Sequence, residues 1–517
     1  MTGQPAPSVQ AAVREAAATF GSRPAVGFAG SLQSFAETYE RSLRLAGGLE
    51  ALGYGPGSRI GILATNGPWF FELYFAVCET GMVELPLNLR FTPDELVAYL
   101  GHVRPEVLVV TAAQAGLARE LQARVPGIRH LIGIGDGHGL EHDYERLLAS
   151  VSPYERALRD PHELALVCAT SGTSGHPKAV MHTQSTTAAG YRPMIDRFDF
   201  NEDSHFVTGL AMYFAPAYSG WTMSFIAGAQ HTIMPAYDPV GYVELVEETG
   251  GTHAFLGPTP VYLIMDSGVD LRRLTGVRHL SMGGAPCDPG RLAALTAVLG
   301  ERVVIQFGMT ELGAGTSLIG PEYVAPGGEL LPTHRSIGRP FDGLEVRIVD
   351  DDGVAMAHDG ESAGELQLAG PVVTSGYLDN PYATQAAFDD GWFRTGDIAS
   401  IDAMGNVFIL DRKKDLIVSG GINVAPLEVE RAITAHPGVL AAGVCGVPDP
   451  TYGEAIHAAV VRAPGATVTE GEIATWCAER LASVKKPRSI AFVAELPISS
   501  TGKLLRRELR RQFAASG

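Results

Sequence analysis

Ala169-Thr170-Ser171-Gly172-Thr173-Ser174-Gly175-His176-Pro177-Lys178-Ala179 is a glycine- and hydroxyl-rich run that closes on Pro-Lys just past the apolar stretch 164–168. Its glycines free the backbone to curl so that successive N–H groups point inward, its Ser and Thr hydroxyls add donors, and Lys178 brings a mobile positive charge. This is the chemistry of a loop that holds phosphate. The spacing does not fit G-x-x-x-x-G-K-[ST], so the P-loop NTPase reading fails. Taken alone, a Ser/Thr/Gly loop is often only a surface turn, and the rest of the chain has to decide.

Alternating elements surround the run. Ser34 and Glu37 have the spacing of a capping box, Leu45, Leu49 and Leu52 follow at helical intervals, and Gly53 ends the helix. The apolar run 59–63 predicts a strand, Asn66-Gly67-Pro68 breaks it, and an apolar helix follows over 69–77. Thr92 and Pro93 then start a helix as N-cap and first residue, and 106–110 predicts another buried strand. Such alternation implies an α/β fold with a mainly parallel sheet and helices on both faces. After about Pro340 short strands with tight turns at 346–353 and 364–368 predict a β-rich subdomain. The charged turn Asp411-Arg412-Lys413-Lys414-Asp415 precedes a compact stretch with its own helices, near 426–434 and 471–481. We read it as a hinge, with a large domain over 1–411 and a small mobile α+β domain over 412–517.

Composition removes several classes of function. With 46% hydrophobic and 19% charged residues, the 517-residue chain reads as an ordered globular protein. A formal charge of -18 disfavours a nucleic-acid partner, which would require clustered Lys and Arg. The five cysteines are scattered without C-x-x-C pairing, which points to a reducing, cytoplasmic compartment and away from structural zinc. Residues 1–10 show no basic and apolar pattern of a signal peptide. From 206 to 237 no Asp, Glu, Lys or Arg occurs, yet Pro216, Gly220, Gln230 and His231 interrupt the segment. The expectation is a buried helix lining an apolar pocket, not a membrane span.

Downstream of the glycine-rich run stand Gly283-Gly284-Ala285-Pro286, Gln306-Phe307-Gly308-Met309-Thr310-Glu311 and Trp392-Phe393-Arg394-Thr395-Gly396-Asp397. Asp411-Arg412-Lys413-Lys414-Asp415 with Ser419-Gly420-Gly421, and Pro497-Ile498-Ser499-Ser500-Thr501-Gly502-Lys503, complete the order. Each is weak alone. The ordered set, over nearly the whole chain, resembles the adenylate-forming superfamily of acyl-CoA synthetases, nonribosomal-peptide adenylation domains and beetle luciferases.

The resemblance implies an acid–thiol ligase: a carboxylate attacks the α-phosphorus of ATP, giving acyl-adenylate and pyrophosphate, and coenzyme A then displaces AMP. Two anions must meet, so the site needs positive charge and donors where negative charge builds up. By resemblance, Thr170, Ser171, Gly172, Thr173, Ser174, Gly175 and Lys178 cradle the β- and γ-phosphates. Glu311 is the Mg²⁺ ligand and Thr310 donates to the α-phosphate. Phe307 stacks on adenine beside Gly308 and Met309, while Gly283, Gly284, Ala285 and Pro286 let backbone approach the purine and the acyl chain. Asp397 takes the ribose hydroxyls, Arg412 contacts ribose or phosphate, and Lys503 bridges carboxylate and phosphate oxygens. Lys414 is the pivot whose turn withdraws Lys503 and brings Ser419, Gly420 and Gly421 to line a pantetheine tunnel.

Two positions depart from the pattern. Ala179 follows Lys178 where relatives usually have glycine, and Phe214 stands in Ala211-Met212-Tyr213-Phe214 where relatives often have histidine. The acyl pocket is expected around Tyr213, Phe214, Gly257 and Gly283. Its segments carry no acid for an ammonium group, which favours a hydrophobic carboxylic acid over an amino acid. The departures leave open a ligase specialised for the thiol half-reaction, fed by a partner adenylating enzyme, and an inactive carrier-interaction or binding protein on the same fold. The sequence also leaves room for a homodimer.

Overall fold

The computed structural model describes residues 7–170, 177–312, 315–419, 422–449, 452–498 and 504–514. The chain divides into two compact units. The first comprises 1–334, 338–345 and 369–393; the second comprises 335–337, 346–368 and 394–517.

Two sheets organise the first unit. In the seven-stranded sheet the order is His142–Asp143, His130–Ile134, Val107–Thr111, Arg59–Leu63, Val83–Pro86, Leu164–Ala169, Ala179–Thr183. All neighbours are parallel except the last pair, in which Ala169 lies opposite Ala179 across the glycine-rich loop. In the nine-stranded sheet the strands run parallel from Pro24–Phe28 through Gln230–Ile233, His205–Thr208, His253–Leu256 and His279–Gly283 to Val303–Phe307, with antiparallel strands at both edges. The expected α/β class is the one observed.

Local signals set the element boundaries. The capping boxes form at Ser34 with Glu37 and at Thr92 with Glu95, each satisfying two otherwise orphaned backbone N–H groups. The charge-free segment gives two strands and the helix Ala215–Ile226, buried because a helix apolar on every side has to be covered. Trp221 packs at 4.5 Å between ring centroids on Phe71 of the buried helix Trp69–Thr80. Among the described residues no helix is long and apolar enough to cross a membrane.

The second unit holds an antiparallel pair of long strands, Trp392–Ile401 (from residue 394) and Val407–Arg412, continued by strands within 346–349 and 363–368. A second sheet, with Gly453–Arg462 at its centre, carries the helices Pro426–Thr434, Glu470–Ala478 and Arg506–Ala514. Ile417, Val429, Ile433, Val444 and Ile473 form its core. Asp411 is buried, and its Oδ2 accepts from the Leu427 N–H at 2.7 Å, binding the strand before the expected hinge to the first turn of the helix after it.

Candidate active site

The glycine-rich loop leaves the sheet between two antiparallel strands, and its ends are tied to each other. Thr170 N–H donates to the Lys178 carbonyl at 3.0 Å, and Lys178 N–H donates to Thr170 Oγ1 at 3.2 Å. Residues 171–176, and so Ser171, Gly172, Thr173, Ser174 and Gly175, lie outside the described residues.

Strand Ala179–Thr183 then gathers polar groups from far along the chain. His182 Nε2 lies 2.8 Å from the Thr310 carbonyl; burial pulls its pKa down to about 4, so the neutral ring donates. Tyr377 forms an isolated antiparallel bridge with Val180, and its neighbours bond the same strand, Leu378 N–H to the Ala179 carbonyl and Met181 N–H to the Gly376 carbonyl. Thr374 N–H reaches the Glu311 carbonyl at 2.8 Å. The Tyr377 hydroxyl donates to Glu311 Oε1 at 3.0 Å, and Lys178 Nζ stands 4.3 Å over the Tyr377 ring. Burial and the Glu311 charge both push the Tyr377 pKa up, so it remains a donor.

Glu311 is 8% exposed, and among the described residues nothing hydrogen-bonds its Oε2. A hard, buried carboxylate oxygen near the tied ends of the glycine-rich loop is a donor of the kind that would suit Mg²⁺. The one described group of His and acidic side chains with metal-ligand spacing, His130, Glu141 and His142, sits at the opposite edge of this sheet.

A cavity partly open to solvent lies over the nine-stranded sheet. Gly283, Gly284, Phe307 and Gly308 line it, together with Phe198, Phe206 and Phe255. Strand Val303–Phe307 supplies Phe307, and Thr310 and Glu311 follow within one turn. Gly283 is required for a reason the sequence did not suggest: a Cβ there would meet the Gln306 carbonyl oxygen at 2.8 Å, so the glycine also lets two strands approach. Ala285 and Pro286 follow that strand, and Met309 begins the turn to Leu312. Tyr213 and Phe214 are not among the lining side chains. Their rings meet at 4.6 Å, and Phe214 is the N-cap of Ala215–Ile226. Gly257 caps Pro258–Asp266, where an added Cβ would lie 3.8 Å from the Gly283 carbonyl.

In the second unit Asp397 and Arg412 are cross-strand partners. Arg412 Nε lies 2.6 Å from Asp397 Oδ1, and Asp397 is 3% exposed. Lys414 is exposed in the 3₁₀ turn Lys413–Asp415, while Lys413 pairs with Asp351 and Glu365. Ser419 is buried and lies opposite Gly453. Gly420, Gly421 and Lys503 lie outside the described residues.

The AMP-binding enzyme model matches residues 13–378, and the AMP-binding enzyme C-terminal domain matches 428–503. The chain belongs to this adenylate-forming family. Within it the chain falls in the acyl-CoA ligase branch of the ANL superfamily, whose fold uses ATP. A feruloyl-CoA synthase of Amycolatopsis sp is 32% identical over 496 residues, 95% of this chain and 96% of that protein. A long-chain-fatty-acid–CoA ligase of Mycobacterium tuberculosis is 32% identical over 494 residues, 93% of each. Among solved structures, ATP-bound MatB from Rhodopseudomonas palustris superposes with a TM-score of 0.89 at 27% identity, covering 98% of this chain and 99% of that one.

His182 and Tyr377 were not found by sequence reasoning. A histidine inside an apolar strand and a tyrosine in Thr374-Ser375-Gly376-Tyr377 carry no local signal of a shared partner, since they meet residues 128 and 66 positions away.

Proposed function

We propose that this adenylate-forming enzyme is an acyl-CoA ligase for a hydrophobic carboxylic acid. A carboxylate oxygen attacks the α-phosphorus of ATP, the bond to the β-phosphate breaks, and pyrophosphate leaves. The coenzyme A thiolate then attacks the acyl carbonyl carbon, the bond from that carbon to the phosphate-bearing oxygen breaks, and AMP leaves with that oxygen. The observation that carries the reading is one strand and turn, 303–311, which lines an aromatic cavity at Phe307 and presents the buried Glu311 to Tyr377, over whose ring Lys178 stands. Acid and nucleotide then meet where donors are already in place, so little reorganisation is needed as charge develops.

In this reading Lys178 draws the β- and γ-phosphates, Thr310 donates to the α-phosphate, and His182 and Tyr377 hold the Thr310-Glu311 turn. Glu311 would hold Mg²⁺, which when bound would supply neutralisation of phosphate charge. Asp397 and Arg412 serve the ribose, and Lys503 bridges the two reacting anions. After adenylation the residues beyond Lys414 turn, withdrawing Lys503 and presenting Ser419, Gly420 and Gly421 to the thiol. The names of the two curated relatives, a feruloyl-CoA synthase and a long-chain-fatty-acid–CoA ligase, support a coenzyme A acceptor. The five cysteines are free, which suits a cytoplasmic enzyme.

The departure at Ala179 gives no support to a ligase limited to the thiol half-reaction. Ala179 is paired in a regular strand with its methyl in the core, a place that needs no glycine conformation. The test is exchange of labelled pyrophosphate over a panel of carboxylic acids, run beside thioester detection. Exchange with at least one acid, followed by thioester and AMP on adding coenzyme A, is the expected result; thioester formed only from supplied acyl-adenylate would overturn the two-step reading.

A further inference from the structure

The cavity floor is set by strand register. Phe206, His253 and His279 are parallel partners in one row, Phe255 and Ser281 in the next, and Gly283 and Gln306 in the third. Partners and i, i+2 neighbours share a sheet face, so His279, Ser281 and Gly283 form a line along the floor. At about 3.3 Å per residue, Ser281 lies about 7 Å and His279 about 13 Å from the Gly283 end, where acid would meet nucleotide. The roof is Met194, Phe198 and the face of Ala215–Ile226 bearing Ser219 and Met223. Gly220 sets its height, since a Cβ there would meet the Phe206 ring at 3.2 Å. The buried Tyr218 hydroxyl anchors the same helix on Glu84 at 2.5 Å.

The polar groups on this floor are not equivalent. His253 is committed: its Nε2 lies 2.8 Å from the Phe198 carbonyl, its Nδ1 lies 2.8 Å from Thr252 Oγ1, and Phe200 stacks on its ring at 4.0 Å. Ser281 is 6% exposed, and its hydroxyl makes no hydrogen bond to a described residue. His279 Nδ1 is buried with no partner. Burial lowers the pKa of both histidines, so both rings are neutral, and no Asp, Glu, Lys or Arg is among the lining side chains described. Two uncommitted neutral polar groups on an aromatic floor leave desolvated hydrogen-bonding capacity that a purely apolar guest would waste.

We infer that the acid activated here is an aromatic carboxylic acid carrying a neutral hydrogen-bonding substituent, a hydroxyl or carbonyl, on the ring end away from its carboxylate, with Ser281 and His279 as the residues that select it. The inference rests on the ligase reading above. Aromatic walls favour a flat ring over a flexible chain, which would lose more rotamer freedom on entry. A ring attached directly to the carboxylate brings its far substituent toward Ser281, and a two-carbon spacer carries it toward His279. The charged groups near His279, Asp199, Arg197 and Arg278, stand outside the lining, with Arg197 paired to Glu322 and Arg278 to Asp199.

The test compares three acids: a ring hydroxylated opposite the carboxyl-bearing chain, the same ring unsubstituted, and a linear saturated acid of equal length. Both pyrophosphate release and calorimetric binding to the full chain are measured, for the native protein and for Ser281→Ala, Ser281→Thr and His279→Phe. The native protein should prefer the hydroxylated ring by about tenfold in kcat/KM and in affinity over the unsubstituted one, the worth of one hydrogen bond. Ser281→Ala or His279→Phe should reduce that ratio to within about threefold, and Ser281→Thr, which restores a hydroxyl, should keep it. A linear acid that outperforms both rings, or a hydroxyl preference unchanged in both variants, overturns the inference. Absence of turnover with every acid, with the binding preference intact, would instead overturn the ligase reading and leave this one standing.

Discussion

At the exit of the glycine-rich loop, Glu311, His182 and Tyr377 are buried and bonded to one another's segments, whereas in the turn Lys413–Asp415 both lysines are exposed and Lys413 pairs with Asp351 and Glu365. The difference is one of cost. Rotating a buried hydrogen-bonded group strands its partner at about 1–3 kcal/mol, but an exposed ion pair exchanges for water at about 0–1 kcal/mol. A region proposed to hold phosphate at one geometry is therefore buried, and a region proposed to pivot is left wet. Asp411 is the exception in the turn: its side chain is buried and bonds Leu427, so a pivot at Lys414 has that contact to break.

Removing the proposed bridge between the two reacting anions should strike hardest. Lys503→Ala is expected to slow acyl-adenylate formation about a hundredfold to a thousandfold, a transition-state contact of about 3–4 kcal/mol, with thioester formation from supplied acyl-adenylate retained. Equal losses in both half-reactions would remove Lys503 from its role. Glu311→Gln keeps the acceptor for Tyr377 and deletes only the charge; pyrophosphate exchange should fall about a hundredfold with the melting temperature unchanged. A loss confined to melting temperature would make Glu311 structural.

The turn is tested by Lys414→Pro, which fixes φ. Adenylation should persist while coenzyme A transfer falls by about tenfold to a hundredfold, and unimpaired transfer would move the pivot elsewhere. Tyr377→Phe sharpens the buried side of the comparison. Loss of the hydroxyl on a charged acceptor should cost about tenfold in exchange and raise the Mg²⁺ concentration needed for half-maximal rate, since Glu311 loses its orienting donor. An unchanged Mg²⁺ dependence would confine Tyr377 to packing.

The smallest effect concerns Glu430 of the second unit, which bonds the Val444 N–H and Arg506. Burial raises its pKa from 4.5 to about 7. A raised acid holds its proton more tightly when folded, so its contribution to stability is lost as pH rises from about 4.5 to about 7. Glu430→Gln should flatten the pH dependence of the melting temperature in that window, and an unaltered slope would assign the dependence to other groups.

The sequence by itself determined the α/β class, the capping box at Ser34, the N-cap at Thr92, the helix Pro426–Thr434, the burial of the charge-free segment and the adenylate-forming resemblance. These follow from backbone sterics, three-residue spacings and ordered motifs, all of which are local in the chain. Only the tertiary structure decided that Tyr377 and His182 hold the Glu311 turn, that Asp397 pairs with Arg412, and that Ser281 and His279 share a floor with Phe255. Each depends on which strand lies beside which, and at what register. A slip of one residue would send Ser281 to the opposite face of the sheet, and no pattern within strand His279–Gly283 specifies the neighbour that prevents it.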